Sequence, residues 1–182
     1  MIEHFLVGLA LLLGLVAGFA LARSRLRRSA RPEAVHRILL PFTGTEISRR
    51  ALDAALRLAR AEEATLMPAY LAAVPLRLPL GCSLPGEAGK AMPMLEAIEQ
   101  RAGAQDVAVD ARIERGRSYR HALARLLEEE SFDRVVVPAH ANGGEGLSGD
   151  DLVWLLREAP AEVLILRPAP DDRRRLEAFP AA

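Results

Sequence analysis

From residue 35 onward the chain switches repeatedly between two apolar periods, and that alternation limits what it can fold into. Val35–Phe42 is a short apolar run that reads as a strand, and Thr43–Glu46 is a turn. From Ile47 the spacing becomes helical, with Ala51, Leu52, Ala55, Leu56 and Ala59 on one face, and Thr45 or Ser48 is placed to cap it. Thr65–Val74 reads as a second strand. A loop rich in Pro and Gly covers Leu76–Lys90, and Pro93 suits the first turn of a helix ending at Gly103. Val107, Val109, Ala111 and Ile113 alternate with polar or small residues as a third strand, and Gly116 is a turn. Ser118 is a cap for a helix to Glu130, with Leu123, Leu126 and Leu127 inward. Val135–Val137 is a buried fourth strand, and a glycine-containing loop runs from Pro138 to Gly149. A helix over Asp151–Glu158, with Asp150 as its cap, precedes a fifth strand at Val163–Leu166. Strands alternating with helices imply right-handed crossovers: an α/β fold, a mostly parallel sheet with helices on both faces. Such sheets bind ligands at the carboxyl ends of strands where the strand order reverses. The candidate loops are therefore Thr43–Glu46 and Pro138–Asp150.

The first thirty residues have a different character. Phe5–Ala22 is an unbroken run of 18 apolar or glycine residues. As a helix it spans roughly 27 Å, close to the hydrocarbon thickness of a bilayer. Residues 1–22 carry one formal charge, Glu3, whereas residues 23–31 carry five arginines (Arg23, Arg25, Arg27, Arg28 and Arg31) and no acid. A signal peptide has its basic segment before the apolar run. Here the arginines follow it, although Ala20-Leu21-Ala22 resembles a cleavage site. The positive-inside rule then places Arg23–Arg31 and everything after them in the cytoplasm. The expectation is a single-pass cell-membrane protein: residues 1–31 as anchor and basic juxtamembrane segment, 32–170 as the folded domain, 171–182 as a polar tail. Ala10, Gly14, Gly18 and Ala22 recur every fourth position, the spacing of a close-packed pair of membrane helices.

Charge and cysteine usage exclude other classes. The chain has 24 basic and 24 acidic side chains. Setting aside Glu3 and the five juxtamembrane arginines leaves 19 basic and 23 acidic groups, a net of −4. That argues against a nucleic-acid partner, which needs a cationic surface. The single cysteine, Cys82, rules out an internal disulfide and a multi-cysteine zinc site, and fits a reducing compartment.

Three segments, in order and spacing, resemble the universal stress protein family: Arg37–Leu52, Phe132–His140 and Leu156–Pro168. They look like the family's opening strand, turn and first helix, its fourth strand, and its Ala-Pro-x-x-Val-Leu-Val-Val helix end and fifth strand. The resemblance implies a five-stranded parallel sheet in order 3-2-1-4-5, and a homodimer. It also implies where the ATP of many members would lie: an aspartate after the first strand, and a G-x2-G-x9-G-[ST] loop after the fourth that cradles phosphates on backbone N–H groups. In this chain the aspartate position is Thr43. The first two motif glycines correspond to Pro138 and Ala141, seven residues rather than nine separate Ala141 from Gly149, and the hydroxyl position is Asp150. Gly149 alone survives in place, while Gly143, Gly144 and Gly146 keep the loop free to adopt another anchoring geometry.

The candidate ligand residues are accordingly Thr43, Gly44 and Thr45 in the first loop and His140, Asn142, Gly143, Gly144, Gly149 and Asp150 in the second. Asp150-Asp151 also suits a helix start through cap and dipole. No nucleophile–base pair and no metal-ligand set is legible. The expectation is a non-catalytic, membrane-tethered module that binds a small ligand or a partner such as a transporter or signalling protein. It needs no cofactor and no metal. The alternative is an ATP-binding stress protein, weak nucleotide hydrolysis being the one activity left open.

Overall fold

The computed structural model describes residues 37–138, 147–166 and 175–177. Contacts divide the chain into Met1–Ala34 and Val35–Ala182, and all described residues belong to the second unit. Phe5–Ala22 lies outside the described residues; among the described residues no helix is long and apolar enough to cross a membrane.

Among the described residues, seven strands and four helices follow in the order β1 (Arg37–Phe42), β2 (Glu46–Ser48), α1 (Arg49–Ala61), β3 (Thr65–Ala73), α2 (Pro85–Gly103), β4 (Arg112–Gly116), α3 (Tyr119–Glu129), β5 (Arg134–Pro138), α4 (Gly149–Glu158), β6 (Glu162–Leu166) and β7 (Arg175–Glu177). Five strands form one parallel sheet in spatial order β4-β3-β1-β5-β6. Counted along the chain without the two short strands, that is 3-2-1-4-5, as the resemblance implies.

The two-residue period of the central strands sorts their side chains into two cores. Ile38, Leu40 and Phe42 of β1, with Leu66, Tyr70 and Ala72 of β3 and Val136 of β5, pack against Leu52 and Leu56 of α1 and Met94 and Ile98 of α2. Leu39, Met67, Ala69, Leu71, Val135 and Val137 pack the other way, against Leu123, Leu126 and Leu127 of α3 and Leu155 of α4. Helices α1 and α2 therefore cover one face and α3 and α4 the other. Each large apolar side chain buried this way contributes about 1.5–3 kcal/mol.

Four local features depart from the sequence reading. Helix α2 begins at Pro85, with a proline at its start, and carries Pro93 inside it. The start signal was assigned to the wrong proline because Gly86 and Gly89 read as loop. The ladder of β4 runs over Arg112–Gly116, with only an isolated bridge at Val109, so the alternation over 107–113 overlaps the strand at Arg112 and Ile113 and otherwise leads into it. Ser148, not Asp150, caps α4, which begins at Gly149 rather than Asp151. Finally, residues 46–48, read as turn and helix start, form β2, which pairs antiparallel with β7, part of the segment read as a polar tail. In that pairing Ile47 stands opposite Leu176. Ser48 is the α1 cap, its hydroxyl accepting from the Ala51 N–H at 3.4 Å.

Gly116 ends β4 where α3 comes closest to the sheet. A Cβ there would lie 2.3 Å from the Ala122 backbone nitrogen and 2.8 Å from the Ser118 carbonyl oxygen. Both are backbone atoms that cannot move aside without shifting the helix. Gly116→Ala is expected to cost about 2–4 kcal/mol, the range of overpacked and strained sites, seen as a lowered midpoint in urea denaturation monitored by circular dichroism.

Candidate functional site

The strand order reverses between β1 and β5, so the crevice between their carboxyl ends is where this architecture places ligands. Thr43 is the first residue beyond β1 and is 4% exposed. Its hydroxyl is buried and has no hydrogen-bond partner among the described residues, a state that ordinarily costs about 1–3 kcal/mol. A donor or acceptor brought into the crevice would relieve it. Gly44 follows at φ 72, in the left-handed region that glycine enters without penalty. Thr45 is exposed, and β2 then carries the chain into α1. On the α1 and α2 side, the Phe42 and Tyr70 rings meet edge to face at 5.6 Å. The Tyr70 hydroxyl donates to Glu87 Oε2 at 2.7 Å. That bond, chiefly, holds the Glu87 carboxyl below its ordinary value of 4.5 against the opposing effect of burial.

The second half of the crevice is the start of α4. Gly149, Asp150 and Asp151 occupy its first three positions. Ser148 and Asp151 close a reciprocal cap. The Ser148 hydroxyl accepts from the Asp151 N–H at 3.2 Å, while Asp151 Oδ2 accepts from the Ser148 N–H at 3.0 Å and from the Ser148 hydroxyl at 2.7 Å. The other carboxylate oxygen of Asp151 lies 3.9 Å from Arg120 Nε, and the Arg120 guanidinium sits 5.0 Å from the centroid of the Trp154 ring. A helix start is an anion site because its first N–H groups lack partners. Here the Asp151 N–H is taken by the Ser148 hydroxyl and the Ser148 N–H by the Asp151 carboxylate, which leaves that charge beside the helix start. Asp150 is exposed beside it. Gly149 has open space where a Cβ would stand, so nothing in its packing requires glycine.

An arginine holds the loop after β3. Arg117 Nη1 donates to the carbonyl oxygens of Pro75 at 2.9 Å and Leu78 at 2.8 Å, and more weakly to that of Val74 at 3.5 Å. The Arg117 N–H in turn donates to His121 Nδ1 at 3.0 Å. This fixes the loop after β3 at the same edge of the sheet.

The structure therefore puts Thr43 and Gly44 at the crevice and Gly149 and Asp150 at the start of α4. Thr45 is exposed in the first loop. His140, Asn142, Gly143 and Gly144 lie outside the described residues. The sequence reading missed Ser148, Asp151 as its capping partner, and Arg117. Ser148-Gly-Asp-Asp151 is a capping-box spacing, Ser-x-x-acid, and was legible. Nothing in the sequence marks Arg117. Among the described residues no group of His, Cys, Asp and Glu is placed to hold a metal ion.

The comparisons with known proteins bear on the fold. A family model described as the universal stress protein family matches residues 34–167. A search of curated proteins gives no match. Similar solved structures include a universal stress protein family member from Burkholderia pseudomallei, 24% identical, TM-score 0.55, covering 74% of this chain and 97% of that one. Another is a universal stress protein described as in complex with cAMP, 23% identical, TM-score 0.58, covering 74% and 98%. A third, from Arabidopsis thaliana and described as having AMP bound, is 12% identical, TM-score 0.54, covering 76% and 96%. At these identities the likeness is one of fold.

Removing the cap should be felt as stability. Ser148→Ala is expected to cost about 1 kcal/mol, measured as a shift in the urea midpoint at unchanged slope.

Proposed function

The chain belongs to the universal stress protein family, and from that premise we propose that it is a membrane-tethered, non-catalytic member. In this reading it binds a small ligand or a protein partner at the cytoplasmic surface of a membrane. The observation that carries the non-ATP part of the reading is the pair of carboxylates at the start of α4. In an ATP-binding relative the helix start offers N–H groups and a hydroxyl to phosphate. Here Asp150 stands in the hydroxyl position, and the Asp151 carboxylate is held beside it by the Ser148 N–H and hydroxyl. Bringing a triphosphate there costs on the order of a kcal/mol or more per carboxylate at an effective dielectric of about 20. Pro138 at the end of β5 has no N–H to give. Thr43 also lacks the charge with which an aspartate would hold ribose or base N–H and O–H donors.

A second reading, binding of a singly phosphorylated adenine nucleotide, is favoured by one feature. Thr43 keeps a buried, unpartnered hydroxyl in the crevice, and two similar structures are described with cAMP and AMP. A monophosphate carries less charge past Asp150 and Asp151 than ATP does. Calorimetric titration of the full chain in detergent is the test. ATP with magnesium should show no binding below about 100 μM, a free energy weaker than roughly −5.5 kcal/mol. Micromolar ATP affinity would overturn the leading reading, and affinity for AMP alone would establish the second.

Tethering rests on Phe5–Ala22 and the arginines after it. Protein partners in this reading are a second copy of the chain and a membrane transporter or signalling protein. Self-association is supported by the side of β6, the last strand of the sheet, that no strand pairs with among the described residues. Ile165 is 37% exposed there, and Val153 and Leu156 of α4 are 48% and 59% exposed. Apolar edges of this kind are usually paired or covered. Ile165→Lys is expected to convert a dimer to a monomer in light scattering at tens of micromolar; an unchanged mass would exclude this edge as the interface.

A further inference from the structure

The outward face of α1 differs in charge from the rest of the domain. Its buried residues, Ala51, Leu52, Ala55, Leu56 and Ala59, form one stripe. At about 100° per residue, Arg49, Arg60, Asp53, Arg57 and Arg50 follow one another across an arc of about 100° on the opposite side. All four arginines are exposed, and the surface rests on Arg49, Arg57 and Arg60, since Arg50 has an interaction of its own. The single acid among them, Asp53, is engaged by Arg101 of α2 at 2.7 Å, so the face gains a fifth guanidinium as it loses a free carboxylate. Of the four described helices α1 alone is net cationic, with four bases against one acid. Helix α2 has two bases and three acids, α3 two of each, and α4 one base and three acids. The exposed Glu63 just beyond α1 is the nearest acid along the chain left outside an ion pair, since Glu62 pairs with Arg134. This cationic face stands on a segment, residues 32–182, whose net charge is −4.

We propose that the outer face of α1 is a docking surface for the anionic lipid headgroups of the membrane. The inference rests on the reading that residues 1–31 tether the chain to that membrane. Fourteen residues separate Ala22 from Arg37, a reach of at most roughly 50 Å. The domain is thereby confined near the surface, and docking becomes an intramolecular step that needs little intrinsic affinity. Each arginine brought within about one Debye length, roughly 8 Å at physiological ionic strength, favours the docked state about fivefold. Arginine keeps its charge at every physiological pH, so docking responds to lipid charge and salt rather than to pH. With α1 against the lipid, α3 and α4 on the opposite face of the sheet look away from it. The carboxyl-edge crevice then opens along the membrane plane, within reach of a partner embedded in the same bilayer.

The test uses the full chain in a Cys82→Ser background, with one fluorophore placed at Ala61→Cys beside the arginines or at Glu128→Cys on α3. The labelled proteins are reconstituted into nanodiscs of phosphatidylcholine alone or with about 30% phosphatidylglycerol, both containing a headgroup nitroxide quencher. Quenching at position 61 is expected in the anionic discs and not in the zwitterionic ones, is lost at 0.5 M salt, and falls at least tenfold in population terms for R49Q/R57Q/R60Q. Position 128 stays unquenched in both. Incorporation with no quenching at 61, or equal quenching in both lipids, overturns the docking alone. A chain that enters neither disc overturns the tether and the docking with it.

Discussion

A parallel sheet that must be covered on both faces governs everything else in this structure. In β1 the residues Ile38, Leu39 and Leu40 are each fully buried though they point to alternate sides. Neither side can face water, so helices must return over both. The right-handed crossovers that achieve this put every strand-to-helix loop at one edge. The reversal of strand order between β1 and β5 then opens a crevice in which Thr43 has no partner for its hydroxyl. The location of the site is thus a consequence of packing, and only its chemistry is free to vary.

That chemistry is set at the other side of the crevice. The cap that Ser148 and Asp151 make is worth stability. In the proposed reading, the carboxylate it holds at the helix start disfavours a phosphate there. Arg120 extends the arrangement, approaching Asp151 on one side and covering Trp154 on the other. Two carboxylates at this helix start are what support the proposed reading of a binding module whose ligand carries little negative charge.

Much of the fold was legible because its strongest determinants are periodic. The short, unbroken apolar run Ile38-Leu39-Leu40 and the helical spacing of Ala51, Leu52, Ala55 and Leu56 identify their elements without tertiary information. What escaped depends on contacts distant in sequence. Three polar-flanked residues such as Arg175–Glu177 have no strand signal of their own and become β7 only through pairing with Glu46–Ser48. The start of α2 was misplaced because glycines 86 and 89 weigh against helix locally while the buried Ala91, Met94 and Leu95 hold it in place. Within the site, Thr43 and Gly44 were found from the turn after β1. At the α4 start the acidic pair Asp150-Asp151 suits a cap by charge, but the serine three residues before Asp151 makes the reciprocal bonds. Arg117 acts on carbonyls 39 to 43 residues away, which no local pattern reveals.

The central claim is that the carboxylates at the start of α4 are what keep phosphate out. It is tested most directly by restoring the hydroxyl and removing the internal anion, in the variant Asp150→Ser/Asp151→Ala, and titrating ATP with magnesium against it and the parent chain. The account predicts binding at least tenfold tighter in the variant, a gain of about 1.4 kcal/mol or more. Equal affinities in a variant that retains the parent circular dichroism spectrum would contradict it.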